Sequence, residues 1–553
     1  MYHAPLKDYN YLMQCFTPEL SKEDRALYDA ILTSIDELCQ AQLVASNHVG
    51  DKAGITYNPE DHSIQLPEGY QALVDQMREL GLFALEHASV WGGLELPKTI
   101  CQLCYEMLMS ANSALFLGMS LTHSACMAIE KNASEHLKKT YLPKMVSGQW
   151  MGSMCLTESH CGTDLGLIKT KAVPKDDHYL ISGQKIWITF GEHDLAENII
   201  HLVLAKLPDS PEGSRGISLF LVPKWLADGT RNTVHCAGVE HKMGTHVSPT
   251  CVMQFDDAQG YLIGETNHGL AHMFVMMNDA RKTVANQGIA LAEIAYQASN
   301  EFVKERRQSR SLDHQKHELE HSADPILHHP DVRRQRLHAK SIIIGLRALL
   351  FYTHTLPHND PMVELLTPVL KSFCTELGCD VIDHCLQVMG GSGYVKDWHI
   401  EQHYRDARIA MIYEGTNGIQ ALDFVLRKLK HHASDWEAFL AHCHTTAKDM
   451  PEFIQPSLEE ALYETNRHFK KISEDLVNDS EIAAAKAPIY LKLVGYTLVT
   501  YLWGILVKED DAPKDYLNLA HYFTKHETSK IYALSTQLDQ DFSLITNFKT
   551  EDF

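Results

Sequence analysis

"NIIHLVLAKLPDSPEGSRGISLFLVPK", residues 198–224, holds two β-rich runs, 198–207 and 216–224, parted by proline, aspartate and glycine. Short apolar runs bounded by turn residues read as strands. "TCVMQFDDA" (250–258) is a third run of the same kind. The text on either side has a different period. Up to about residue 150, apolar residues recur at helical spacing, as in "ALYDAILTSIDELCQAQL" (26–43) and "GYQALVDQMRELGLFAL" (69–85), with almost no strand pattern. Helical spacing returns after Gly269 and continues through "DWEAFLAHCHTTAKDM" (435–450). Helices, then strands, then helices, without β–α–β alternation, predict separate layers in one α+β chain. The segments are an N-terminal extension (1–40), an N-terminal helical domain (41–150), a central antiparallel β domain (151–268), a C-terminal helical domain (269–430) and an additional helical domain (431–553).

Composition narrows the functions open to such a chain. Its 553 residues call for three or four domains of ordinary size, and 45% apolar with 22% charged residues describe a globular protein. A formal charge of −22 argues against a nucleic-acid partner, because phosphates are bound by cationic neutralisation. Thirteen irregularly spaced cysteines suit a reducing compartment with buried thiols. "MYHAPLKDYNYLMQCFTPEL" (1–20) has no continuous apolar stretch of the signal-peptide kind and no arginine, which predicts a cytoplasmic location. The most apolar run, "LVGYTLVTYLWGILV" (493–507), lies between Lys492 and Lys508. It is shorter than the roughly 20 residues of a membrane span, so a buried helix and no membrane span are expected.

Several motifs tempt a reading and fail on context. "HELEH" (317–321) has the zinc-protease spacing but lies in the most polar stretch of the chain, just before Pro325. That motif works on a helix beside a cleft, so a solvated loop and no metal are expected. "CQLC" (101–104) has no second cysteine pair nearby and reads as two thiols on a helix face. "GGSGY" (390–394) lacks the strand–turn–helix context of a dinucleotide fingerprint, although its glycines permit close approach to the backbone.

Three stretches carry chemistry together. "MCLTESHCGTDLGLIKTKA" (154–172) opens the strand region with hydroxyls and glycines. "GQKIWITFGEHD" (183–194) places Trp187 and Thr189 on alternate positions of a strand, facing one side. "RIAMIYEGTNGIQ" (408–420) sets Glu414 between apolar Met411, Ile412 and Tyr413 and a turn bracketed by Gly415 and Gly418. Taken alone, Glu414 reads as an acid capping the next helix, where N–H groups and the helix dipole favour it.

With these three stretches in view, the sequence resembles the acyl-CoA dehydrogenases over about residues 40–430. Its length is similar to the long-form subgroup that contains 3-methylmercaptopropionyl-CoA dehydrogenase and bacterial fatty acyl-CoA dehydrogenases. The resemblance implies FAD as cofactor, an acyl-CoA thioester as substrate, an electron-transfer flavoprotein as electron acceptor, and α,β-desaturation. Glu414 would take the α-proton while the β-hydride passes to flavin N5. A carboxylate serves as that base when apolar burial raises its pKa, and Gly415 would let the thioester approach the backbone. Some relatives carry the base just before the arginine of the helix that here reads "MMNDARKTVA" (276–285). That position is Ala280, which leaves Glu414.

The resemblance also implies the cofactor contacts. Met154, Leu156, Thr157 and Thr163 would lie beside the flavin ring and its phosphates, and Trp187, Ile188 and Thr189 would cover the ring. Arg306, Gln387, Gly390 and Gly391 would hold the far end of FAD from a neighbouring subunit, with Thr416 at its adenine half; this division implies a homodimer. Thr163, Asp279, Arg281 and Gly415 would contact substrate. The family's Phe-Gly after the arginine is replaced in "RRQSR" (306–310) by Ser309 and Arg310. Two alternatives share the fold: an acyl-CoA oxidase, and a flavin-containing DNA-associated stress protein with a basic C-terminal domain. Residues 431–553 hold 11 Lys and Arg against 20 Asp and Glu, a balance of −9, which speaks against a phosphate-binding face.

Overall fold

The structure is a computed structural model that describes residues 2–552. In chain order its helices are α1 (Leu6–Phe16), α2 (Lys22–Leu38), α3 (Val44–Ala53), α4 (Tyr70–Glu79), α5 (Lys98–Asn132), α6 (Glu135–Val146) and α7 (Gly269–Glu305). There follow α8 (Pro330–Thr355), α9 (Pro361–Val388), α10 (Gly391–Tyr394), α11 (Ile400–Arg408), α12 (Asn417–Leu422) and α13 (Leu429–His431). The last six are α14 (Ala433–Ala447), α15 (Gln455–Asn478), α16 (Ser480–Leu506), α17 (Lys514–Tyr522), α18 (Ser529–Leu538) and α19 (Ser543–Asn547). The strands are β1 (Thr56–Asn58), β2 (Ser63–Gln65), β3 (Trp150–Cys155), β4 (Lys171–Lys175), β5 (His178–Thr189), β6 (Asn198–Lys206), β7 (Ile217–Pro223), β8 (Val234–Val239) and β9 (Thr250–Ile263). The expected order of helices, strands and helices is present. The short β1–β2 hairpin was not foreseen, because three-residue strands show no usable period.

Two compact units form. One comprises residues 37–101 and 111–283; the other comprises 1–36, 102–110 and 284–553. In the first, the β unit, strands β6, β7, β9, β5 and β4 pair in a ring that returns to β6, with β8 added to β9. Most pairings are antiparallel, as expected. β3 departs from this by running parallel to β6, with Trp150 opposite Asn198 and Cys155 opposite Val203.

The opening stretch is now accounted for. Ile200, Leu202 and Leu204 of β6, with Ile217, Leu219 and Leu221 of β7, pack into a core shared with α5 and α6. The intervening Val203, Ala205, Phe220 and Val222 fill the core on the other face. Both faces are buried, so the strands read as unbroken apolar runs. Helix α5 breaks at Asn112 (φ −152°, ψ 81°). Its side-chain oxygen accepts from the N–H of Leu115 at 3.0 Å, which restarts the helix, and its amide donates to Ser46 at 2.9 Å.

The second unit is helical. Its most apolar helix, α16, packs against α8, α9, α12 and α15. Of its most apolar 18-residue window, 83% is buried in protein, as expected of a core helix. Gly495 is required there: a Cβ would stand 2.4 Å from the Phe373 ring of α9. A buried ion cluster joins the unit's N-terminal helix to segments far along the chain. Arg347 of α8 donates to Glu106 at 2.7 Å and to Glu293 at 2.7 Å, and lies 3.5 Å from Asp8 of α1. Asp8 in turn accepts from Lys340 at 2.7 Å and from the Tyr516 hydroxyl at 3.0 Å.

Two discarded motifs fall where expected. His317 to His321 occupy turns after a short 3-10 segment, with the His317 ring on the Ser311 carbonyl and Glu318 paired with Arg307. Cys101 and Cys104 lie buried on α5, and all thirteen cysteines are free thiols.

Candidate active site

Within the β unit, the first two chemistry-bearing stretches lie side by side. The Ile186 N–H donates to the Thr157 carbonyl at 2.9 Å, and Lys185 Nζ donates to the Leu156 carbonyl at 2.9 Å. Lys185 also meets Glu158 at 2.9 Å, with both groups buried. Burial would raise the Glu158 pKa. The Lys185 charge, together with hydrogen bonds from Thr170 and the Lys169 amide, outweighs that and holds it at about 2. This pair, which the sequence reading missed, locks the loop carrying Thr157 and Thr163 onto β5. Its one visible signal was a lysine inside the apolar strand "QKIWIT" (184–189).

Beyond Lys185 the strand bulges: its register with β9 shifts between Lys185 and Ile188, and Trp187 takes φ +59°. The strict alternation expected of Trp187 and Thr189 is therefore interrupted. Ile188 is buried, Thr189 half-buried and the Trp187 indole 61% exposed. A large apolar ring held in solvent on a disfavoured backbone is the kind of outlier that marks a binding surface. Met154 and Thr157 are half-buried, Leu156 is buried and Thr163 is exposed.

Asp279 and Arg281, on the first part of α7, are both buried. Asp279 accepts from the Ser124 hydroxyl at 2.8 Å. Burial opposes its ionisation, but Lys282, 3.6 Å away, and His123 keep its pKa below the ordinary range. Arg281 donates to Asn278 at 3.4 Å and stacks its guanidinium 5.8 Å from the Phe274 ring centre.

Within the helical unit, Glu414 lies at φ +57° and Gly415 at φ +85°, so the chain turns left-handed for two residues before α12. The cap of α12 is Thr416, whose hydroxyl accepts from the Ile419 N–H at 3.3 Å. The capping role that the sequence allowed for Glu414 is therefore filled by its neighbour. The turn is fastened from α9: buried Lys371 donates to the Gly415 carbonyl at 2.6 Å and to Asn417 at 3.0 Å. Gln420 closes it from the other side, donating to the Glu414 carbonyl at 3.0 Å. A Cβ on residue 415 would meet that amide nitrogen at 2.8 Å. Tyr413, ahead of Glu414, directs its hydroxyl to Gln287; burial, then the Glu414 charge, push its pKa upward. Ile412 is 48% exposed, so the apolar surround of the turn is open on that side.

Arg306 and Gln387 are exposed in the same unit, and Gly390 and Gly391 face open space where their Cβ atoms would stand. Tyr394 (84% exposed), Val395 and Trp398 continue that surface, and Trp398 packs edge-on against Phe302, near the end of α7 that leads to Arg306. An uncovered glycine-and-aromatic surface and the exposed Trp187 ring are features that a flat dinucleotide cofactor would cover.

Comparison with known proteins gives the family. The family models described as the N-terminal, middle and C-terminal domains of acyl-CoA dehydrogenase match residues 46–149, 153–258 and 267–429. The 3-methylmercaptopropionyl-CoA dehydrogenase of Ruegeria pomeroyi is 41% identical over 454 residues, covering 77% of this chain and 76% of the relative. The broad-specificity linear acyl-CoA dehydrogenase FadE5 of Mycobacterium tuberculosis is 34% identical, covering 79% and 74%. The crystal structure of an acyl-CoA dehydrogenase complexed with FAD from Bacillus anthracis superposes with a TM-score of 0.75 at 20% identity, covering 98% of this chain and 91% of that one.

Proposed function

The chain belongs to the acyl-CoA dehydrogenase family, FAD-dependent oxidoreductases that dehydrogenate acyl-CoA thioesters, and from that membership we propose that Glu414 is the base that removes the substrate α-proton. The observation that carries the assignment is the turn itself. Glu414 stands on left-handed backbone two residues before the cap of α12, and the side chain that accepts the capping N–H is that of Thr416. Proton removal beside a thioester carbonyl leaves negative charge on the carbonyl oxygen. The backbone at 414–415, bare of a Cβ at Gly415, is a surface on which that oxygen can find N–H donors. FAD supplies the two-electron acceptor. Exposed Trp187, with Thr189, Met154, Leu156, Thr157, Thr163 and Ile188, would hold one part of the cofactor. Arg306, Gln387, Gly390, Gly391 and Thr416 would hold its far end, and Asp279 with Arg281 would orient substrate.

Replacing Glu414 by glutamine tests the assignment. Loss of a positioned base costs about 10² to 10⁴ in rate, and bound FAD should remain, because the fastening of the turn uses backbone and the side chains of Lys371 and Gln420. Anaerobic bleaching of the flavin by a panel of acyl-CoAs reads both substrate and base. We propose a linear acyl-CoA; a thioether acyl-CoA is a close isostere, and the relatives' names point to both kinds. Near wild-type bleaching in Glu414→Gln would overturn the assignment. Rapid bleaching only by branched substrates would overturn the linear reading.

We further propose a cytoplasmic homodimer that passes electrons to an electron-transfer flavoprotein. The support is the exposed surface of Arg306, Gln387, Tyr394, Val395 and Trp398, in a helical unit separate from the one bearing Trp187. Sedimentation of the FAD-loaded protein should give a dimer or a multiple of it; a monomer with full FAD occupancy contradicts the shared cofactor.

A further inference from the structure

Away from the candidate site, the helical unit brings two histidines and two carboxylates together. His338 lies on α8, Asp380 and His384 lie one helical turn apart on α9, and Glu527 precedes α18. One donor atom from each of His338, Asp380 and His384 lies within 4.8 Å of the others. His338 Nε2 is 2.9 Å from Asp380, while its Nδ1 is 2.8 Å from Glu527, which is itself held by Lys530 at 2.9 Å. His384 Nδ1 lies 3.3 Å from the Gln335 side-chain oxygen. The two rings stand edge to face with centres 4.8 Å apart.

We propose that His338, His384 and Asp380 form a binding site for a divalent transition metal, zinc by ligand type, that ties α8 and α9 to the C-terminal helices. Two imidazoles and a carboxylate are ordinary zinc ligands, and a fourth position can be filled by water, here on the side where the Asp380 side chain is 44% exposed. The outer partners make the case stronger than the donor count does. A metal-bound histidine characteristically gives its second N–H to a carboxylate or carbonyl oxygen; Glu527 does this for His338, and Gln335 does it for His384. Zinc ligands at about 2.0–2.2 Å from the metal stand about 3.3–3.6 Å from one another, so small side-chain rotations of Asp380 and His384 close the set.

The competing account is an imidazolium at His338 shared by two carboxylates. Its hydrogen-bond distances of 2.9 Å to Asp380 and 2.8 Å to Glu527 agree with it. That account leaves unexplained why the His384 ring stands against the His338 ring, with centres 4.8 Å apart and Nδ1 turned to Gln335. Two abutting imidazoles are better used by a metal that replaces the Nε2 proton. The surrounding charge favours a dication as well. Asp331, Asp380, Asp383 and Glu527 face Arg334, Lys530 and Arg336, whose guanidinium donates to the His384 carbonyl at 3.4 Å, four negative groups against three positive.

The test uses FAD-loaded protein stripped with EDTA. Calorimetric titration with Zn²⁺ should show one tight equivalent, and Co²⁺ should give ligand-field absorption beyond the flavin band. His384→Gln and Asp380→Asn should each lose that equivalent while retaining bound flavin. Glu527→Gln should weaken it by about 10- to 100-fold and keep the Co²⁺ spectrum. The proposal is overturned if the wild type takes up no tight equivalent. It is equally overturned if both site variants bind as the wild type does, which would place the metal on other histidines. Should one variant lose its flavin, the other decides.

Discussion

Glu414 and Trp187 share a backbone state that side chains avoid, with φ of +57° and +59°. Each such residue costs of order 1–3 kcal/mol and persists only where the surroundings enforce it. At Glu414 the enforcers are Lys371 and Gln420, gripping the carbonyls of the turn. We therefore expect Glu414→Gly to be more stable than Glu414→Gln, by about 1 kcal/mol in thermal denaturation, with flavin reduction lost in both. A glycine variant less stable than the glutamine one would mean that side-chain contacts, not backbone, set the cost. The position of Glu414 was legible because Gly415 and Gly418 announce a turn. The strain at Trp187 was not, since nothing in "KIWIT" (185–189) departs from an ordinary strand.

At the scale of elements, the Glu158–Lys185 pair decides how two stretches of the candidate cofactor site stay together. Its carboxylate is held at about 2 against an ordinary 4.5, so its contribution is complete above the unfolded pKa and is lost as pH falls through that interval. Acid titration should release flavin between about pH 4.5 and 2, read as a rise in free-flavin fluorescence. Lys185→Met strands a buried carboxylate, and breaking such a pair costs about 3–5 kcal/mol. That loss should appear in denaturant unfolding, and it should shift flavin release to higher pH; an unchanged release curve would show the pair to be incidental. Strand existence was legible from composition, as in β6, β7 and β9. Pairing was not: the parallel run of β3 along β6 joins segments whose local patterns say nothing about direction.

For the whole molecule, the question is what residues 431–553 do. The family match ends at residue 429, yet α16 lies in the core of the helical unit, against α8, α9 and α12. A chain ending at residue 430 should therefore be insoluble and colourless although it keeps all three matched domains; a soluble yellow product would show the last segment to be a separate addition. The sequence disclosed that the 493–507 run was buried, but not beneath what, because its partners lie far away along the chain. The same feature sets the order in which the protein can be completed. Asp8, made first, waits for Tyr516, 508 positions later. The faces of α8 and α9 stand uncovered at least while the 91 residues between the end of α9 and the start of α16 (389–479) are made, on the order of 5–20 s at about 5–20 residues per second. For that interval the nascent chain carries apolar surfaces that only its own later helix can take out of water.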